Sequence, residues 1–316
     1  MPDEAGQSTP DLRNDGEHPA VVMRDIATRP KPPSHIITFA NEKGGVGKST
    51  LAFHCAVSLA YSGQSVAVID LDRRQQTLGT ALTGRLGTAR NLQIELPQPA
   101  HSVLSRQSGA MLYQEIARIG SDADFVIIDA AGHDSATMRR AIAMADTLVT
   151  PINCSLVDLD MLGRLDPVTM RLRAPGQFAG MVEQLRAERA AFGMGPSRWV
   201  VVRNRMRTSE KRQRSMIGQA LDDLSARFDF DIAQGLRERV AYRELFLFGL
   251  TYLDLAHIPG LGAKEPHAQH ELEQLLLDLS LNVAPRKWQQ GAKANLAPIS
   301  KQSAKAYSRK IAGYCV

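Results

Sequence analysis

The chain has 316 residues, 44% of them hydrophobic and 22% charged, with a formal net charge of +5. No apolar run reaches the roughly 18 residues a bilayer span needs, and residues 1–33 mix acids, Pro and Ser where a signal peptide would carry an apolar stretch, so a spanning or exported protein is not expected. Three widely spaced cysteines, Cys55, Cys154 and Cys315, argue against a disulfide framework and against a zinc or iron–sulfur site, and make the cytoplasm the expected compartment.

Charge divides the chain. Residues 1–33 hold four basic and six acidic side chains and end in the stiff run Arg29-Pro30-Lys31-Pro32-Pro33; they read as a disordered leader. From Pro285 to Val316 there are seven Lys/Arg (Arg286, Lys287, Lys293, Lys301, Lys305, Arg309, Lys310) and no acid, which reads as a basic, flexible tail. Residues 34–284 between them are close to neutral and form the expected folded domain.

Within it, His35 to Ala40 predicts a buried strand, as do Ser65 to Asp70 and Phe125 to Asp129, each short, β-branched and apolar. Thr147 to Ile152 and Trp199 to Val202 complete the set. Helices are predicted over Ser49–Tyr61, Ser135–Ala145, Leu159–Leu172 and Glu210–Arg227. Continuous apolar strands alternating with helices imply an α/β fold: a doubly wound, mostly parallel sheet with helices on both faces. Ligands of such sheets bind beyond the carboxyl ends of the strands, where the terminal aspartates Asp70 and Asp129 point.

The first strand runs into Asn41-Glu42-Lys43-Gly44-Gly45-Val46-Gly47-Lys48-Ser49-Thr50. Glycines between a strand and a helix let backbone amides wrap a polyphosphate, and the helix N-terminus adds positive potential. In this pattern Lys48 reaches the β- and γ-phosphates of ATP and the Ser49 hydroxyl binds Mg²⁺. The first glycine of the usual G-x-x-x-x-G-K-[ST] pattern is replaced by Glu42, and a second lysine stands at Lys43. A carboxylate close to the γ-phosphate, in Asp70-Leu71-Asp72, can orient the attacking water and hold the Mg²⁺ shell; a solvated strand end is the ordinary alternative. Asp129 closes a four-residue apolar run and is expected to bind Mg²⁺ through water. After the fifth strand comes Arg203-Asn204-Arg205, and from Arg203 to Arg214 six Lys/Arg face a single acid, Glu210. Arg205, Arg207, Lys211, Arg212 and Arg214, with Arg237 and Arg243 further on, are candidates for non-specific contacts to a DNA backbone. A run of this kind is also the ordinary signature of a solvated helix face.

The loop with its additional Lys43 resembles the deviant Walker A motif of the ParA/MinD superfamily. Asn153 to Gly163 continuing through Asp166-Pro167-Val168-Thr169, and Gly235 to Val240 continuing through Tyr242 to Thr251, resemble more narrowly the MipZ group of division-plane positioning ATPases. The likeness covers about His35 to Leu281. It implies that Lys43 reaches across an ATP-bridged homodimer, that Asp72 is the aspartate of the D-x-D motif that positions water, and that Asn204 recognises adenine. It implies slow regulatory ATP hydrolysis, non-specific DNA binding on the nucleoid, inhibition of FtsZ polymerisation and recruitment by ParB. Where many relatives follow the Walker B aspartate with Thr-Pro-Gly, this chain has Ala130-Ala131-Gly132. Two alternatives stay open: a ParA-type partition ATPase with the same site, and a membrane-associated MinD-like ATPase, for which Ser300–Val316 is thin in apolar residues. A nitrogenase-type iron protein would need a bridging cysteine pair the chain lacks, and no acceptor site for a metabolic kinase is visible.

Overall fold

The computed structural model describes residues 18–153, 155–166, 169–205, 211–258, 266–281 and 301–314. In chain order the elements are α1 (Pro19–Ala27), β1 (His35–Phe39), α2 (Lys48–Tyr61), β2 (Val66–Asp70), α3 (Thr77–Leu92), β3 (Ala100–Val103), α4 (Gly109–Gly120), β4 (Phe125–Asp129) and α5 (Ala136–Met144). There follow β5 (Thr147–Asn153), α6 (Leu156–Leu159), β6 (Gly163–Leu165), β7 (Leu172–Pro175), α7 (Gln177–Ala191), β8 (Arg198–Asn204), α8 (Lys211–Phe228) and β9 (Asp231–Gln234). The chain then forms α9 (Val240–Leu247), a 3-10 turn (Tyr252–His257), α10 (Pro266–Asp278) and α11 (Lys301–Tyr314).

Seven strands form one sheet in the order β3-β2-β4-β1-β5-β8-β9, and every pairing in it is parallel. The β2 and β4 strands are buried at every position because helices cover both faces, which is why their sequences are continuous apolar runs and not alternations. Alternate residues feed two cores. Ile36, Ile69, Val126, Ile128 and Val201 pack under the α4, α5, α7 and α8 layer. Ile37, Phe39, Val68, Ile127 and Val202 pack under α2, α3, α9 and α10. Parallel strands bring all their carboxyl ends to one edge, and the strand order turns at β1, flanked by β4 and β5.

Three sequence expectations are corrected. The leader is not unstructured throughout: Pro19 opens α1 at a position where its missing N–H costs nothing. Val22, Met23 and Ile26 of that helix are buried, and α1 packs on α5 and α7. Asp25 fastens it to Arg140 (3.3 Å), while Lys31 pairs with Asp146 (2.7 Å). Residues 1–17 of the leader lie outside the described residues. The tail likewise contains α11, docked on α3 and α9 through Ile311, which is buried. The Tyr307 ring stands edge-on to Phe248 at 5.9 Å, and its hydroxyl is 3.2 Å from Thr88 Oγ1. Residues 282–300 lie outside the described residues. Finally, the helix expected over Leu159–Leu172 is only the short α6, followed by the antiparallel β6–β7 pair. Asp166 precedes Pro167, which disfavours helical backbone at Asp166, and Asp166 instead accepts Thr169 N–H at 2.8 Å and pairs with Arg173. The edge strands β3 and β9 were not expected; both are four residues long and carry polar residues, too weak a signal for a strand.

One buried group gives the fold a pH dependence. In α2, His54 Nδ1 donates to the Thr50 carbonyl at 2.8 Å, its ring meets Phe53 and Tyr242 edge-on, and Nε2 has no partner. Burial pushes its pKa down from 6.5 to about 4, so the folded chain keeps the ring neutral. As pH falls below 6.5 the unfolded chain takes up a proton that the folded chain refuses, and stability drops until about pH 4. On the order of 3 kcal/mol is lost over that window. Urea titrations at stepped pH should show the loss in the native chain and a flatter profile in His54→Leu; equal slopes would mean the ring charges inside the fold.

Candidate active site

The loop from Asn41 to Lys48 is held from three sides. Asn41 is fully buried, and its amide donates to the Pro151 carbonyl of β5 (2.6 Å) while its Oδ1 accepts the Lys43 N–H (2.7 Å). Behind it, Asn204 at the end of β8 donates Nδ2 to the Val46 carbonyl at 2.8 Å. Gly47, at φ 94°, turns the backbone into α2, and a Cβ there would stand 2.3 Å from Asn204 Nδ2. Both the left-handed backbone and the close approach therefore require glycine. Gly44 and Gly45 are exposed, whereas Val46 is buried. On the remaining side Gly132 crosses so near that a Cβ on it would touch Gly44 Cα and Lys48 Nζ, both at 3.4 Å.

Lys48 is 8% exposed and donates Nζ to the Lys43 carbonyl at 3.0 Å. Burial lowers its pKa, and the Asp129 and Asp72 carboxylates oppose that shift. Asp129 is buried at the end of β4, and burial with the nearby Asp70 pushes its carboxyl up to about 8, although the Ser49 hydroxyl bonds to it. Its Oδ1 is buried without a partner. The site thus holds a cation and an under-satisfied carboxyl group beside a hydroxyl, next to the glycine loop.

The two aspartates after β2 have different surroundings. Asp70 is fully buried; its Oδ1 accepts the Asp72 N–H (2.9 Å) and its Oδ2 the Leu78 and Gly79 N–H groups (both 3.1 Å). It therefore fixes the start of α3 and the loop before it. Asp72 is half-buried, and its Oδ1 accepts from Arg74 and Gln75 N–H (3.1 and 3.0 Å). Beyond Asp72 a cleft of about 640 Å³ opens between Arg73, Arg74, Gln107 and His133.

Lys43 extends away from Lys48 and makes an ion pair with Asp158 of α6, a carboxylate only 1% exposed. Asp158 escaped the sequence reading as a site residue; Ser155, whose hydroxyl accepts the Asp158 N–H (3.2 Å), was the available signal for the short helix that carries it. Next to Asp158, Val157 is 73% exposed.

For Asn204 the structure places the amide nitrogen on the P-loop carbonyl and leaves Oδ1 buried without a partner. Of the basic candidates, Arg205 follows β8 in left-handed backbone (φ 52°) and donates its N–H to Leu236. Arg237 lies after β9, and Arg243 is exposed on α9. Lys211, Arg212 and Arg214 begin α8, and Arg207 lies outside the described residues. Among the described residues no three His, Cys, Asp or Glu side chains form a metal cage, and no helix is long and apolar enough to cross a membrane.

A parallel sheet that delivers a glycine loop, a buried lysine and strand-end carboxylates to one edge is the P-loop fold of the ParA/MinD type. The chain belongs to the MipZ family: the model described as ATPase MipZ matches residues 35–283. Among curated proteins it is 28% identical over 177 residues to an uncharacterised ATP-binding protein of Methanocaldococcus jannaschii, covering 46% of this chain and 60% of that one. It is 28% identical over 171 residues to the chromosome partitioning protein ParA of Caulobacter vibrioides, covering 45% and 64%. The match therefore spans less than two thirds of either relative's length. The fold is also that of a Cyanothece McdA variant solved in complex with ATP, at TM-score 0.54 and 15% identity over 79% of this chain and 98% of that one.

Proposed function

We propose that the chain is an ATP-driven dimeric switch that binds DNA without reading its sequence and places the cell-division site by inhibiting FtsZ polymerisation, with ParB as its recruiter. The observation that carries the reading is the pair of lysines on one loop: Lys48 is buried, and Lys43, 41% exposed, pairs with the buried Asp158. Lys48, with the amides of Gly44, Gly45, Val46 and Gly47 and the start of α2 at Ser49 and Thr50, would hold the ATP phosphates. Lys43 would leave Asp158 to serve a nucleotide shared with a second subunit, whose approach would also cover Val157. Mg²⁺ suits the donors present: it takes oxygen ligands, few of them from protein. The Ser49 hydroxyl would bind it directly, and the orphaned Asp129 Oδ1 and Asp72 would hold its water shell. Bound there, Mg²⁺ would neutralise charge on the β- and γ-phosphates.

Asp72 would orient the water that attacks the γ-phosphate, with its second oxygen available once Oδ1 is held by the loop. Asn204 would meet adenine through its orphaned Oδ1, which can accept the N6 amino hydrogen. Arg205, Arg207, Lys211, Arg212, Arg214, Arg237 and Arg243 would form the DNA face, doubled in the dimer so that weak phosphate contacts add on one rigid body. Slow hydrolysis would then release monomers, and the protein would be cytoplasmic and nucleoid-associated. The likeness to Caulobacter ParA favours one second reading, a partition ATPase with the same cycle and a different cargo.

Gel filtration and DNA binding compared with ATP, ADP and no nucleotide test the switch; dimerisation or DNA affinity indifferent to ATP would overturn it. An FtsZ assembly assay with the ATP-bound protein separates the two readings. Asp72→Ala should retain ATP binding, lose at least 10-fold in phosphate release and accumulate as an ATP-bound dimer. Normal turnover in this variant would assign the water to another residue.

A further inference from the structure

Glu271, on α10, holds two arginines beside the candidate DNA face. Its Oε1 lies 2.8 Å from Arg239 Nη2 and 3.5 Å from Arg237 Nε. Its Oε2 accepts the Arg237 backbone N–H at 3.3 Å and the Tyr242 hydroxyl at 3.1 Å. The carboxylate is 13% exposed, whereas the Arg237 side chain is 64% exposed. The loop between β9 and α9 therefore carries Arg237 and Arg239 on either side of Glu238 at the carboxyl edge of the sheet, and Glu271 faces both arginines. Tyr242 joins this cluster to the phosphate loop: its ring lies 5.1 Å from His54, and His54 is bonded to Thr50 at the start of α2.

A guanidinium binds a carboxylate and a phosphate through the same kind of N–H donor, so Glu271 and a DNA phosphate compete for Arg237 and Arg239. We infer that Glu271 is a built-in counter-charge that competes with DNA for Arg237 and Arg239 and keeps the nucleotide-free chain off DNA. This inference rests on the DNA-binding reading above. Tyr242, whose hydroxyl steadies the carboxylate, is the contact through which a movement of α2 would reach Glu271.

The test is fluorescence anisotropy with a random-sequence duplex across a salt series, without nucleotide and with a non-hydrolysable ATP analogue. Glu271→Gln should raise nucleotide-free affinity about 10-fold and steepen the log–log salt slope by roughly one to two, one for each phosphate that a freed arginine neutralises. Tyr242→Phe should act in the same direction and less strongly. Adding Arg237→Gln and Arg239→Gln to Glu271→Gln should return the affinity to the native value or below. If Glu271→Gln fails to fold, Arg237→Gln/Arg239→Gln alone must weaken binding in the ATP state, and no weakening overturns the inference. Native protein that binds DNA with ATP while Glu271→Gln leaves affinity and slope unchanged also overturns it, and makes Glu271 a structural bridge. Altered ATP affinity with unchanged DNA binding overturns it too, and puts the arginines at the nucleotide. Absence of DNA binding in every form, with or without ATP, removes the DNA reading itself and this inference with it.

Discussion

Lys48→Ala should abolish ATP binding, lowering affinity by about 100-fold or more, on the order of 3 kcal/mol. The ammonium is the group that would contact two phosphates, and charge-assisted hydrogen bonds are the strong ones. Its removal also takes away the positive charge that interacts with Asp129 and Asp72 at the site. Isothermal titration with ATP and Mg²⁺ measures the loss. Lys48→Arg should not rescue it, because Nζ donates to the Lys43 carbonyl and a longer, planar guanidinium cannot take its place as a compact charge. Comparable affinity in Lys48→Ala would defeat the assignment of the loop.

Asp254→Ala should cost about 3–5 kcal/mol of folding stability, because it leaves a guanidinium buried without its counter-ion. Arg85 and Asp254 are both fully buried and meet in a two-pronged pair at 2.7 and 2.8 Å. Arg85 also donates to the Pro97 and Gly249 carbonyls (2.8 and 3.1 Å), and Asp254 accepts from Tyr61 (2.7 Å) and Thr251 N–H (2.6 Å). Burial alone would raise the carboxyl pKa, but the Arg85 charge and these donors outweigh it and hold Asp254 below the usual range. The pair ties α3 to the 3-10 turn after α9. Arg85→Met/Asp254→Leu should lose much less than the two single variants together, the mark of a coupled pair. Denaturant unfolding of the four proteins supplies the cycle; additive losses would show that the pair is not acting as a unit.

The central strands were legible because burial on both faces leaves no choice of residue: His35–Phe39, Val66–Asp70 and Phe125–Asp129 are written in Ile, Val and Phe. The glycine loop was legible for a different reason, since its spacing is dictated by phosphate geometry. What escaped depends on long-range partners. Val22, Met23 and Ile26 have helical spacing, but the acids and prolines around them outweighed three apolar residues until α5 and α7 supplied a surface. Ile311 and Tyr307 were hidden in the same way among lysines. Asp158, Glu271 and the Arg85–Asp254 pair carry no local mark, because a buried charge is identified by what it meets. Residue type alone does not separate Asp70 from Asp72, which stand two residues apart and differ in burial and in the backbone amides each one meets.

The place of β1 in the sheet has a consequence for assembly. It pairs with β4 and β5, drawn from residues 125–129 and 147–149, so β1 has no neighbour until residues 125–129 are made. Such distant pairings close large loops and slow folding. During synthesis the glycine loop would emerge early and remain shapeless until β5 arrives with Pro151, the carbonyl that clamps Asn41. ATP would then bind only a chain whose sheet is already joined at its centre. Nucleotide in the surrounding solution would stabilise the finished protein by mass action and do nothing for the partly made one.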